Sequence, residues 1–165
     1  MSPEYPERRK RLAEQIASRK LDALVVSAQA NIRYLCGFTG SNGLLLVRPD
    51  GWALLLSDPR YEIQAQQEAD CLVTITRKPL ARELAAELGR RRLRRVGFEA
   101  GRFTYAEYES LKAALGARVR LRPVADAVES LRMVKSEAET EAIRRSMAIA
   151  AAAFEKSMHV AREGI

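Results

Sequence analysis

Between Glu4 and Lys20 the apolar positions Leu12, Ala13, Ile16 and Ala17 recur among charges. That i, i+3/i+4 spacing predicts an amphipathic helix that must lay one stripe on a neighbouring surface. Leu21 to Ser27 follows as a short, nearly continuous apolar run, the pattern of a strand covered on both faces. From Asn31 to Gly43 the periodicity breaks, with three glycines in seven residues, and the segment reads as a shaped loop. Gly43 to Val47 and Trp52 to Ser57 are two apolar runs separated by Arg48-Pro49-Asp50-Gly51, in which Pro presets φ and Gly accepts a positive φ. A β-hairpin follows from that pattern.

Further along, Arg60 to Ala69 has helical spacing, Cys71 to Thr76 alternates like a strand, and Leu80 to Leu93 returns to a helical stripe through Leu84, Ala85 and Leu88. Arg95 to Glu99 and Val119 to Val124 read as short strands. Between them Thr104-Tyr105-Ala106-Glu107 is a capping box that opens a helix to about Leu115, stopped by Gly116. This alternation predicts the α/β class: a three-layer α/β/α domain around a mixed sheet of about six strands.

After Pro123 the character changes. Val128 to Val134 is a short helical link, and Ser136-Glu137-Ala138-Glu139 is a second capping box. It launches the longest helix, predicted to reach about Glu163 just before Gly164-Ile165, with Ile143, Met147, Ala150, Ala151, Phe154 and Met158 on one face. The expected organisation is a domain over 1–127, a link over 128–135, and a long C-terminal helix beginning at 136.

Chain length and apolar content suit one well-buried core plus this appendage. The longest apolar runs fall far short of the roughly 20 residues that cross a bilayer, so no membrane span is expected. The start, Met1-Ser2-Pro3-Glu4-Tyr5-Pro6, lacks the apolar stretch of a secretory signal, which predicts a cytoplasmic chain. A formal charge of +7 raises nucleic acid or a small anion as a partner, giving the alternative of a stand-alone binding module. However, the dense run Arg90-Arg91-Arg92-Leu93-Arg94-Arg95 lies at a predicted helix end, where cations meet the negative pole of the dipole, and no aromatic residue interrupts it.

The chemistry on offer is narrow. A metal site needs several converging ligands and a Ser or Cys hydrolase needs an oriented base, yet His159 is the single histidine. Cys36 and Cys71 lack metal-knuckle spacing and read as two buried thiols. The loop Gly37-Phe38-Thr39-Gly40-Ser41-Asn42-Gly43 is either a tight entry to the hairpin or a contact for a substrate or partner subunit. Asp58 can cap the helix that follows it, and Arg60 is either a surface charge or a bidentate partner of that Asp.

Taken in order, Asn31 to Gly43, Ser57-Asp58-Pro59-Arg60-Tyr61 with Gln64-Ala65, Val96-Gly97-Phe98-Glu99, and Leu131 to Glu139 with Ile143-Arg144 resemble the creatinase/prolidase family of Xaa-Pro aminopeptidases and dipeptidases. The resemblance implies a non-catalytic N-terminal domain, a linker, and the first helix of a pita-bread catalytic domain over 136–165, a truncation inactive alone. It places two divalent metals (Mn, Co or Zn) in the missing catalytic half and none in this chain. It further implies a homo-oligomer, such as a dimer, in which Arg33, Tyr34, Phe38, Ser41, Asn42, Asp58, Arg60 and Tyr61 shape access for proline-containing peptides or contact a neighbouring subunit.

Overall fold

In this computed structural model residues 4–161 are described. The chain divides into two compact units, Met1–Leu131 and Arg132–Ile165. The first is built on strands β1 Ala23–Val26, β2 Leu44–Val47, β3 Ala53–Ser57, β4 Leu72–Ile75, β5 Arg95–Glu99 and β6 Arg120–Val124. They form one sheet in the order β4-β3-β2-β1-β5-β6. β2 runs antiparallel to both β1 and β3, and the remaining neighbours are parallel. The predicted hairpin is β2–β3, in register from Leu44 opposite Leu56 to Val47 opposite Ala53.

Because successive strand residues point to opposite faces, the apolar runs feed two cores at once. On one face Leu24, Val26, Leu45 and Leu55 pack with α1 (Glu4–Ser18), α2 (Gln29–Cys36), α3 (Glu62–Glu68) and α6 (Ala127–Met133), through Leu12, Ile16, Ile32, Leu35, Ala65 and Val128. On the other, Val25, Leu46, Leu54, Leu56 and Val96 meet Leu84 and Leu88 of α4 (Leu80–Arg90) and Leu111 and Leu115 of α5 (Tyr105–Leu115). This is the expected three-layer α/β/α arrangement around a mixed six-stranded sheet.

In the second unit α7 (Glu137–Val160) is the long predicted helix, opened by the Ser136/Glu139 capping box in both directions. None of its residues is buried. The expected helix end at Glu163 and the terminal Gly164-Ile165 lie outside the described residues.

Two expectations are corrected. Residues 29–36 are helix α2, and only 37–43 are loop. Gly37 adopts the left-handed conformation (φ 88°) that ends a helix, its N–H donating to the Arg33 carbonyl. The spacing Ile32, Leu35, Cys36 is already helical, but Ala28 at the N-cap offers no side-chain acceptor, so the usual start signal is missing. Second, Cys36 is buried but Cys71 is only half-buried. The two lie together, with the Asp70 N–H donating to the Cys36 carbonyl at 2.8 Å. Hydrogen bonding to Cys36, then burial, pushes the Cys71 thiol above the ordinary thiol range.

The missing N-cap of α2 is supplied from the neighbouring strand β5. Glu99, the last residue of β5 and 4% exposed, accepts from the backbone N–H of Ser27 (2.7 Å) and Ala28 (2.9 Å) and from Asn31 Nδ2 (2.6 Å). Asn31 Nδ2 also donates to Glu129 of α6 at 2.9 Å, and Arg102 Nε completes the chain to Glu129 at 3.0 Å. Removing the carboxylate takes the acceptor from the part-buried amides of Ser27 and Ala28, each worth about 1–3 kcal/mol, while Asn31 keeps only Glu129. Glu99→Ala is therefore expected to lower the unfolding free energy by about 3 kcal/mol or more, and Glu99→Gln, which keeps one acceptor oxygen, by less. Urea denaturation followed by circular dichroism measures both, and a loss below about 1 kcal/mol for Glu99→Ala contradicts this role.

Candidate functional site

Once Gly37 has ended α2, the chain runs through the loop 38–43 and lies against the corner that follows β3. Thr39, Ser41 and Asn42 of this loop are tied down by partners from elsewhere. The Thr39 N–H and hydroxyl donate to Glu68 of α3 (2.7 and 2.8 Å), and Gln64 Nε2 donates to the Thr39 hydroxyl at 2.8 Å. Ser41 Oγ shares a hydrogen bond with the Tyr61 hydroxyl. The Ser41 carbonyl accepts from Gln29 Nε2 at 2.5 Å. Asn42 Nδ2 donates to Asp58 Oδ2 at 2.6 Å, and the Asn42 carbonyl accepts from the buried Ser57 hydroxyl at 2.7 Å. At Gly40 an added Cβ would fall 2.2 Å from the Phe38 ring and 2.8 Å from the Tyr61 ring, so only glycine fits.

Asp58 organises the corner. Its carboxylate accepts the Arg60 N–H at 3.0 Å, which caps the short 3-10 turn Pro59–Tyr61. It also accepts Arg60 Nε at 2.9 Å and Nη2 at 2.8 Å, the bidentate fork left open by the sequence. The Arg60 hydrogen bond first, and the Asn42 hydrogen bond second, hold the Asp58 carboxyl well below the usual carboxylate range. At Glu68 partial burial works upward, but the Thr39 and Gln64 donors outweigh it and leave this carboxyl low as well.

The eight residues expected at the site separate into two groups. Ser41, Asn42, Asp58, Arg60 and Tyr61 are brought together at the rim, with the Arg60 side chain 72% exposed. Arg33 is exposed on α2 and its charge helps to lower Glu68. Phe38 and Tyr34 are not rim contacts. Phe38 is 1% exposed beneath the loop, edge-on to Tyr61 at 5.9 Å between centroids. Tyr34 is 8% exposed, covered by the Arg8 guanidinium 4.2 Å from its ring centroid, and donates to the Leu131 carbonyl. Tyr34 sits inward because α2 turns one face to the core, and Phe38, just after the helix, packs into the same core against Tyr61.

Behind the loop opens a cavity of about 550 Å³ that the sequence did not disclose. Ser27, Gln29, Asn42 and Leu44 line one side, and Leu80, Phe103 and Ser110 the other. It lies beside the carboxyl ends of β1 and β5, where the chain leaves β1 toward one face of the sheet and β5 toward the opposite face. Open α/β sheets commonly take ligands at such a crossing. Here the carboxylate of Glu99 already occupies the amides at the start of α2. A polar strand end, Ser27 after one apolar run and Glu99 after another, was the available signal.

The basic run is largely spent within the fold. Arg90 pairs with Glu83 (3.0 Å) and Glu87 (2.5 Å). Arg91 pairs with Glu87 at 3.1 Å and lies 3.9 Å over the Trp52 ring, while Arg95 reaches Asp22 at 3.6 Å. Among the described residues no group of three or more His, Cys, Asp or Glu side chains could hold a metal ion. The described residues thus do not supply the donor set for a metal pair. No described helix is long and apolar enough to cross a membrane.

A family model described as the Creatinase/Prolidase N-terminal domain matches residues 8–134. The chain belongs to this family. It is 32% identical over 146 residues to an uncharacterized peptidase, YqhT, of Bacillus subtilis, covering 88% of this chain and 41% of that one. An Xaa-Pro dipeptidase from Bacillus anthracis superposes with a TM-score of 0.89 at 27% identity, over 96% of this chain and 44% of that one. The N-terminal domain of the cytoplasmic peptidase PepQ from Mycobacterium tuberculosis is 41% identical with a TM-score of 0.70, over 76% of this chain and 98% of that domain. This creatinase/prolidase domain therefore spans less than half the length of the first two relatives, and the resemblance carried by the ordered segments is borne out.

The depressed Asp58 carboxyl sets a pH dependence with a definite sign. A carboxyl whose folded pKa lies below its unfolded value near 3.9 stabilises fully above about pH 5, and that stabilisation fades as pH falls through the folded value. The urea midpoint of the wild-type chain is expected to exceed that of Asp58→Asn above pH 5, with the gap narrowing below about pH 4 as Asp58 protonates. Parallel midpoint curves from pH 6 to pH 2 contradict the Asp58–Arg60 pairing.

Proposed function

We propose that this chain is the non-catalytic N-terminal domain of a proline-specific metallopeptidase, an Xaa-Pro aminopeptidase or dipeptidase. The observation that carries the reading is the family match over 8–134 in a chain less than half as long as relatives that include an Xaa-Pro dipeptidase. In this reading residues 128–135 link the domain to a pita-bread catalytic domain, and α7 is the first helix of that second domain. The two divalent metals, manganese, cobalt or zinc, belong to the catalytic half, and the whole works in the cytoplasm as a homo-oligomer.

The part assigned to this domain is access and selection. Loop 38–43 and the corner 58–61 form a rim whose backbone is fixed before any ligand arrives, which reduces the ordering a bound peptide must impose. Arg60 is the exposed cation of that rim. With two of its N–H groups on Asp58, it keeps the remaining donors for the carboxylate of a short proline-containing peptide. Arg33, Ser41 and Asn42 extend the polar edge, while Tyr34 and Phe38 hold it from below.

Two measurements test this. The purified chain, incubated with an Xaa-Pro dipeptide and manganese, is expected to show no turnover above a chelated control. Turnover that survives repurification contradicts the non-catalytic assignment. A photoreactive Xaa-Pro dipeptide at millimolar concentration is expected to label residues between Thr39 and Tyr61, with labelling reduced severalfold by Arg60→Ala; labelling confined to other segments contradicts the rim as the access surface.

A further inference from the structure

The end of α2 and the segment leading into β4 are fastened together at three points. An added Cβ on Gly37 would fall 2.8 Å from the Glu68 carbonyl oxygen, so the two backbones touch there. Beside that contact the Asp70 N–H donates to the Cys36 carbonyl at 2.8 Å. The buried Arg9 guanidinium spans the residues that precede the two cysteines, donating to the Leu35 carbonyl at 2.9 Å and lying 3.8 Å from the Asp70 carboxylate. None of these contacts involves sulfur, yet together they set the only two cysteines of the chain side by side.

The two thiols differ in access. Cys36 is 0% exposed, whereas Cys71 is half-buried and open to a small solute. The Cys71 thiol hydrogen-bonds to Cys36 and lowers the Cys36 thiol below the ordinary thiol range, against the opposing effect of burial. The Phe38 N–H and the Arg9 charge act in the same direction as that hydrogen bond. Reactive cysteines sit in such positively polarised, partly open surroundings, while buried structural thiols are inert. Among the described residues no third ligand joins the pair to make a metal site.

We propose that Cys36 and Cys71 are a modification site, which a peroxide converts to a reversible intramolecular disulfide between the end of α2 and the start of β4. The Cys71 sulfur, having passed its proton to the Cys36 thiolate, attacks one oxygen of hydrogen peroxide. The O–O bond breaks, Cys71 becomes a sulfenic acid, and the departing hydroxide takes the Cys36 proton to leave as water. The Cys36 thiolate then attacks the Cys71 sulfur and the S–O bond breaks. The second hydroxide takes a solvent proton, which returns the one lost when the thiolate formed. The two sulfurs give up two electrons, and the peroxide is reduced to two waters. A dithiol reductant reverses the bridge by exchange.

The bridge closes a loop of chain that contains residues 38–43, the β2–β3 hairpin, the corner 58–61 and α3, and so ties the frame of the rim without using any rim side chain. Cross-linking across such a loop restrains the unfolded chain and favours the folded one. In a reducing compartment the pair rests as thiols, and a bridge there is a transient response to oxidant. The proposal does not rest on the access reading, because its readouts are the thiols and the unfolding of the chain itself.

The test treats the purified chain with a small excess of hydrogen peroxide, then unfolds and alkylates it for intact mass measurement. The folded wild type is expected to lose both free thiols, to run as a single chain on a non-reducing gel, and to regain both thiols with dithiothreitol. Its thermal midpoint is expected to rise by several degrees on bridging and to return on reduction. In Cys36→Ala, Cys71 is expected to stop at a sulfenic acid that dimedone traps, while in Cys71→Ala the buried Cys36 remains a thiol. Two free thiols in the peroxide-treated folded wild type overturn the proposal without recourse to a variant. So does a bridge that joins two chains, one that forms only after unfolding in urea, or one that lowers the thermal midpoint.

Discussion

The carboxylate of Glu99 sits where β1 and β5 end and α2 begins, and accepts from two backbone amides and one side-chain amide at that junction. No local residue could take its place, since Ala28 at the start of α2 has no acceptor. The geometry is that of a capping box closed over a distance. The N-cap amide of Ala28 and the side chain of Asn31 both turn to an acid contributed by another strand. Through Asn31 the same contact reaches Glu129 and so orients α6. Glu129 feels burial first, pushing it upward, but the Asn31 and Arg102 donors leave it below the usual range.

The rim formed by loop 38–43 and corner 58–61 depends on that junction. With the start of α2 fixed, Gly37 turns the chain at a defined point, and residues 38–43 arrive against Asp58, Tyr61 and Glu68 in one arrangement. The carboxylate also fills the place where an α/β sheet of this topology would otherwise present free amides to an anion. In the proposed reading the recognition groups lie on the rim, in Arg60 and the loop hydroxyls and amides.

Features carried by neighbouring residues were legible in the sequence. The β2–β3 hairpin, both capping boxes, and the two-faced strands follow from runs a few residues long, and the structure has each of them. The Asp58–Arg60 fork was legible as one of two alternatives, because a single residue separates its partners. What escaped depends on distance along the chain. Helix α2 was hidden because its N-terminal acceptor lies some seventy residues away and the following glycines dominated the pattern. Arg9, buried on the Leu35 carbonyl, stood in the sequence as one more charge among the polar positions of an amphipathic helix. Tyr34 and Phe38 were assigned to the rim because a loop exposes its aromatics more readily than a packed helix does.

The most direct test of this account is amide hydrogen exchange at Ser27 and Ala28, resolved by NMR, in the wild-type chain and in Glu99→Gln. If the remote carboxylate holds the start of α2, both amides exchange in the wild type only through global unfolding. In the variant they exchange at least tenfold faster than core amides of β2 and β3. Equal protection of Ser27 and Ala28 in the two proteins, after correction for global stability, would contradict the central role of Glu99.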